Sequence, residues 1–218
     1  MPQRPPAAAE ELGISTREYI LREASKLFGS RGFQGTTTRD IAAAVGVRQP
    51  SVYSHFSSKQ EIAEELLHRD LTSSNVALEA IAVGGGGAPV ELYRYMRWQV
   101  RYVQETDYDL TGLYLGDLLN LPEFTASREL LADYDALIAS IIRRGIDEGD
   151  FLDQDPIFLQ AAVDALVHEA IRRTARQSTP VAGLPDLTAE LTVRALMRRQ
   201  SKIASVRATA NRLDNKTE

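Results

Sequence analysis

Apolar residues recur every three to four positions along nearly the whole chain, and no long run alternates apolar with polar residues. That period places one stripe per helix against a common core and leaves no pattern for a sheet, so the expected fold is all-α. The punctuation agrees. Ser15 with Glu18 three residues on reads as a capping box that opens a first helix. Its stripe is Ile20, Leu21, Ala24, Leu27 and Phe28, and Gly29 with Gly32 end it. Thr37 and Asp40 form a second capping pair ahead of Ile41, Ala42 and Val45, and Gly46 suits a left-handed turn. A third short helix opens at Gln49-Pro50, where a missing N–H costs nothing, and Val52 and Phe56 hold it down. Ser57 and Gln60 then cap a long helix to about Val83, which Gly84-Gly85-Gly86-Gly87-Ala88-Pro89 breaks. Five further helical segments follow at 90–105, 108–119, 124–148, 156–178 and 186–206, about nine helices altogether.

Composition narrows the function classes. The chain has 44% apolar and 25% charged residues, as a globular protein does. No apolar stretch approaches the roughly 18 residues of a membrane helix, and MPQRPPAAAEELG has no apolar signal core, so a cytoplasmic protein without membrane association is expected. Without cysteine there is no disulfide or thiolate zinc site. His55, His68 and His168 lack metal-ligand spacing, Gly84–Gly87 lacks the partners of a phosphate loop, and no Gly-x-Ser-x-Gly elbow occurs. Asp107 and Asp109 beside Tyr108 have no evident partner in sequence. No enzyme, metal or cofactor is expected.

Net charge is −5, yet residues 14–60 hold seven basic side chains (Arg17, Arg22, Lys26, Arg31, Arg39, Arg48, Lys59) against three acidic ones (Glu18, Glu23, Asp40). A basic module on an acidic body fits a protein that meets phosphate at one end. The spacing around Val45-Gly46-Val47 in that module matches a helix-turn-helix, whose second helix enters the major groove of DNA.

Three stretches carry a family resemblance: Phe28-Gly29-Ser30-Arg31-Gly32-Phe33-Gln34-Gly35-Thr36-Thr37, then Ile41 through Val47, then Pro50-Ser51-Val52-Tyr53-Ser54-His55-Phe56 with Lys59. Together they closely resemble the DNA-binding domain of the tetracycline-repressor (TetR) family over residues 15–67. The phrase Gly145-Ile146-Asp147-Glu148-Gly149-Asp150-Phe151 is similar to a stretch such regulators carry late in the chain. Arg48 stands where Ser or Thr is frequent, and Pro50 where Gly often stands. The expected architecture is a three-helix DNA-binding domain at 14–60 and a larger effector-binding and dimerisation domain at 61–206. A flexible tail (1–13) and a polar tail (207–218) flank them.

With Val52 and Phe56 inward, Pro50, Ser51 and Ser54 should face base edges. Gln49 suits bidentate pairing with adenine, and Pro50 an apolar contact with a thymine methyl. Thr37, Arg39 and Lys59 are placed to meet the phosphate backbone. The resemblance assigns Tyr53 and His55 to phosphate as well, against the alternatives of a half-core tyrosine and an exposed histidine. Arg48 is open between base, phosphate and solvent.

The resemblance implies a homodimer on double-stranded operator DNA that a small, largely apolar or aromatic effector releases. Its dimer face would be Phe158, Ala161, Ala162, Ala165 and Leu166 with Leu187, Leu191, Ala195 and Leu196, where alanines permit close helix approach. Tyr95, Trp98, Gln99 and Tyr102 share one helix face, with Tyr114, His168 and Glu169 as further effector-site candidates. Such a stripe is more often core than ligand box, but phenol and indole tips want polar partners that a ligand could supply. The competing class is a helical protein that acts through a protein partner without operator binding.

Overall fold

The computed structural model describes residues 6–114, 118–177 and 179–215. Among these are eleven α-helices: α1 (Ala7–Leu12), α2 (Thr16–Arg31), α3 (Thr38–Val45), α4 (Gln49–Tyr53), α5 (Lys59–Gly84), α6 (Ala88–Glu105), α7 (Thr111–Tyr114), α8 (Thr125–Asp147), α9 (Pro156–Ala175), α10 (Leu184–Leu196) and α11 (Ile203–Asp214). The all-α expectation holds. The chain forms two compact units, residues 1–70 with 106–129 and residues 71–105 with 130–218. Residues 106–129 thus group with the amino-terminal helices, unlike the continuous division expected from sequence.

In the first unit, α2 buries Ile20, Leu21, Ala24 and Phe28 against Ile41, Ala42 and Val45 of α3, Val52 of α4, and Phe56. Each of the larger side chains among these contributes roughly 1.5–3 kcal/mol on burial. Phe33, which follows α2, packs between Phe28 and Phe124, with 5.5 Å between ring centroids on either side. Tyr108 donates to Glu18 and accepts from Arg69, while Arg69 and Arg17 both reach Glu65. Asp109 takes the Thr111 N–H and hydroxyl, and Arg22 lies 3.4 Å from Asp107. The acidic neighbours that lacked partners in sequence are therefore structural ties. Glu18, engaged by Tyr108 and Arg69, leaves the first cap one-sided: Ser15 accepts from the Glu18 N–H, with no return bond.

In the second unit, α6 is buried on nearly every side from Ala88 to Arg97, and its charges are paired. Glu91 accepts from Arg144, Arg94 donates to Asp214 at 2.6 Å, and Arg97 reaches Asp214 and, at 2.5 Å, Asn211. Asp186 takes the Tyr93 hydroxyl at 3.1 Å. Gly85, Gly86 and Gly87 all have positive φ, so the turn before α6 needs glycine at each.

Several expectations are corrected. The supposed flexible tail includes α1, whose Ala9 is fully buried and which closes on the left-handed Gly13. The supposed polar tail is largely α11, held by Arg94 and Arg97 and by buried Ile203, Val206 and Ala210. Segment 108–119 is helical only at Thr111–Tyr114 and turns at Leu118–Asn120, with 115–117 outside the described residues. Segment 186–206 is two helices, because Met197 turns extended and pairs with Phe151 in an isolated antiparallel bridge. Phe151 lies so close over Gly145 that a Cβ there would come within 2.2 Å of its ring, which accounts for the glycine in the Gly145–Phe151 phrase. The long helix begins at Lys59, and its cap is Ser58, whose hydroxyl accepts from the Glu61 N–H; Ser57 instead donates to the Glu61 carboxylate.

Candidate functional site

The helix pair is locally determined. Thr37 and Asp40 complete a reciprocal capping box, and the two bonds from Thr37 lower the Asp40 pKa. Gly46 ends α3 at φ 75°, and Val47 returns its N–H to Ala42. α4 then runs for only five residues, with Arg48 at its N-cap in extended geometry and giving no side-chain cap.

Gln49 and Pro50 are exposed, as are Arg39, Arg48 and Thr37. Tyr53 is 48% exposed, and the Gln49 amide lies 3.5 Å from its hydroxyl one turn away. Ser54 is exposed with its hydroxyl donated to the Ser51 carbonyl, and His55 is half-buried. Two assignments change. Ser51 is buried at 6% exposure, so its hydroxyl does not face base edges. Val52 and Phe56 do fix the inward side of α4, but the inward arc is wide enough to include Ser51. Lys59 does not present a free ammonium: its Nζ donates to the carbonyls of Phe33 at 2.6 Å and Thr36 at 2.8 Å. It also lies 4.0 Å from the centre of the Phe33 ring, and burial lowers its pKa. Lys59 lines an open cleft with Thr36, Thr37, Tyr53 and Ser57. Of the side chains expected at base edges, Gln49, Pro50 and Ser54 are exposed and Ser51 is not. Gln49→Ala should relax preference at one base position by about 1–3 kcal/mol. Ser51→Ala should leave the preference unchanged in a randomised-duplex selection.

In the second unit the aromatic face of α6 is a ladder. Tyr95 and Trp98 stack at 5.9 Å and 23°, and Trp98 and Tyr102 at 5.1 Å and 14°. Tyr95 is fully buried, whereas Trp98 and Tyr102 are half-buried. Tyr134 joins from α8, its ring 6.0 Å from that of Tyr95, and burial pushes its pKa well up. The Gln99 Oε1 is buried without a hydrogen-bond partner among the described residues. Sequence reasoning missed Tyr134, Asp135 and Asp164. Asp135 accepts from Gln160 at 2.8 Å, and burial, with Asp135 adding repulsion, pushes Asp164 up to about 6. His168 is half-buried one turn from Asp164, and burial first and Arg172 second lower its pKa. Glu169 is exposed and pairs with Arg172 at 3.0 Å, so it is a surface ion pair. Tyr114 belongs to the first unit, where it donates to Asp70.

The face expected to dimerise is mostly uncovered. Phe158 is 69% exposed, Leu187 55% and Leu191 46%, with Ala161, Ala165 and Ala195 also exposed and Ala162 and Leu166 half-buried. Ile157, at 76%, extends the patch and was missed, though it adjoins Phe158. Leu196 is corrected: it is 1% exposed and packs in its own core.

Comparison with known proteins converges on one family. Residues 20–66 match the description "Bacterial regulatory proteins, tetR family". The HTH-type transcriptional repressor KstR2 of Rhodococcus jostii is 28% identical over 151 residues, which span 67% of this chain and 74% of that protein. The tetracycline repressor protein class C of Escherichia coli is 39% identical over 56 residues, 26% of each chain. Among solved structures, AmtR of Mycobacterium smegmatis superposes with a TM-score of 0.75 at 26% identity, covering 98% of both chains. No helix among the described residues is long and apolar enough to cross a membrane. The capped helix pair lies inside the matched segment, so residues 20–66 carry the DNA-binding domain described for the tetR family of bacterial regulatory proteins.

Proposed function

We propose that the protein binds a palindromic operator as a homodimer and is released by a small aromatic effector. The observation that carries this reading is the exposed row Arg48, Gln49, Pro50 and Tyr53 on a short helix held by a completed capping box. One such helix per chain reads half a site, and a two-fold pair would place two of them about 34–36 Å apart, one turn of DNA.

The uncovered apolar residues of α9 and α10 support an isologous interface, since a contiguous patch of this kind marks an association surface. Phe158→Glu combined with Leu191→Glu should convert a sedimenting dimer to a monomer and lower operator affinity by at least about a hundredfold, because each half-site must then be bound alone. A wild-type protein that sediments as a monomer at micromolar concentration and retains no genomic duplex would support partner binding without an operator.

The Tyr95–Trp98–Tyr102 ladder supports a planar effector, and the unpartnered Gln99 acceptor supports one that carries an N–H or O–H donor. α5 starts beside the reading pair in the first unit and ends in the second, so it can link effector state to operator affinity; such coupling is typically about 1–3 kcal/mol. Trp98 is the only tryptophan. Its emission should change over the effector concentrations that release DNA.

A further inference from the structure

From the placement of its ammonium, we infer that Lys59 is a positioning residue for the reading head and not a phosphate contact. This rests on the operator reading above. Two of the three N–H bonds of Lys59 are committed to the Phe33 and Thr36 carbonyls, and the face of the Phe33 ring lies 4.0 Å away. Both carbonyls belong to the link between α2 and α3. Thr36 is itself buried, with its hydroxyl donated back to Leu27 at 3.2 Å and Gly32 at 2.9 Å, and it precedes Thr37, the N-cap of α3. Lys59 opens α5 and so ties the first turn of that helix to the residue just before the α3 cap. The tie fixes where Thr37 and Arg39 stand and, through the Gly46 turn, where α4 points. Turning the ammonium toward DNA would strip two buried carbonyls of a charged donor, which is unfavourable unless another donor replaces it.

Salt dependence separates the two roles. A lysine that touches phosphate releases a counterion, so its loss reduces the slope of log affinity against log salt by about 0.9. The experiment uses full-length Lys59→Met, which keeps the apolar stem and removes the donors. Its folding is checked by thermal melting at the assay temperature. Binding is measured to a 30-base-pair duplex selected on the wild type and to a scrambled duplex. The expected result is a loss of at least about tenfold on the selected duplex, a smaller loss on the scrambled one, and a salt slope unchanged within about 0.3. Equal losses on both duplexes with a slope reduced by about 0.9 would establish a phosphate contact and overturn the inference. So would a folded variant with wild-type affinity, which would make the tie structural only. Should the variant not fold, the wild type decides, because Lys59 is one of four lysines and its side-chain resonances can be titrated by NMR. A positioning lysine keeps its lowered pKa when the selected duplex is added, and a phosphate contact raises it. Failure of the wild type to retain any duplex would overturn the operator reading and this inference together.

Discussion

Asp214→Ala is expected to destabilise the protein by about 3–5 kcal/mol, a large share of the stability of a domain this size. Asp214 neutralises two guanidinium groups: Arg94, at 6% exposure, and Arg97, also at 6%. Among the described residues, removing the carboxylate leaves Arg94 with a 3.4 Å contact to the Ile81 carbonyl, and Arg97 with Asn211 and a 3.4 Å approach to Asp186. A buried cation without its anion bears its full desolvation penalty, which exceeds what the intact pair contributes. Asp214→Asn should lie between wild type and alanine, because its carbonyl still accepts one bond. Arg94→Met with Asp214→Leu, which removes both charges of one pair, should recover part of the loss. Urea denaturation read by circular dichroism checks the order. A melting curve for Asp214→Ala that coincides with wild type would show that α11 is not held by these charges.

Stability should fall, not rise, as pH increases from about 5 to about 6. Burial lifts Asp70 from 3.8 to about 6 despite its bond from Tyr114, and lifts Asp164 equally far with help from Asp135. A carboxyl group with a raised folded-state pKa binds its proton more tightly folded than unfolded. Its stabilising contribution is therefore complete below the unfolded value and is lost as pH climbs through the folded one. For fully buried Asp70 the displacement corresponds to roughly 3 kcal/mol. Asp164 is less deeply buried, and solvent screening brings its share nearer about 1–2 kcal/mol. Glu18, Glu61, Glu65 and Asp40 are lowered instead, so they lend their full stability above the ordinary carboxylate value and withdraw it as pH falls through about 4.5 toward the folded values. The optimum is thus expected near pH 5. Asp70→Asn, which keeps an acceptor for Tyr114, and Asp164→Asn should each raise the melting temperature at pH 7.5 and flatten the profile between pH 5 and 6. A profile that rises through that interval in the wild type would show these groups are not the ones titrating.

What the sequence reveals depends on the distance over which each feature is decided. The Thr37–Asp40 box and the Gly46 turn are settled within four residues and appear in the structure as expected. The aromatic ladder follows from i, i+3 and i+7 spacing on one helix, and its rings do stack. Ser51 was misplaced because a five-residue helix is oriented by what it packs on, not by its own short pattern. α11 is hard to read from sequence because its anchors, Arg94 and Arg97, lie more than a hundred positions earlier. Its Ile203, Val206 and Ala210 did carry a helical stripe, and the arginines did stand inside an otherwise buried aromatic run. Lys59 was read as free because nothing local places the Phe33 and Thr36 carbonyls beside it.

The inward turn of Ser51 bears on how many promoters such a protein can govern. With Ser51 withdrawn and Ser54 bonded to the backbone, the proposed operator reading leaves the exposed Gln49, Pro50 and Arg48 as the side chains each reading helix would offer to the groove. Two good side-chain-to-base pairs in each half-site supply roughly 4–12 kcal/mol of discrimination across a dimer. Discrimination against a million competing sites takes about 8 kcal/mol, so the lower part of that range falls short of it. A protein built this way would tolerate substitutions at most positions of its target and would depend on the stiffness and groove width of the intervening bases for the remainder. Its regulon should accordingly be a graded set of related sites, filled in order of affinity as the protein accumulates, and not a single address.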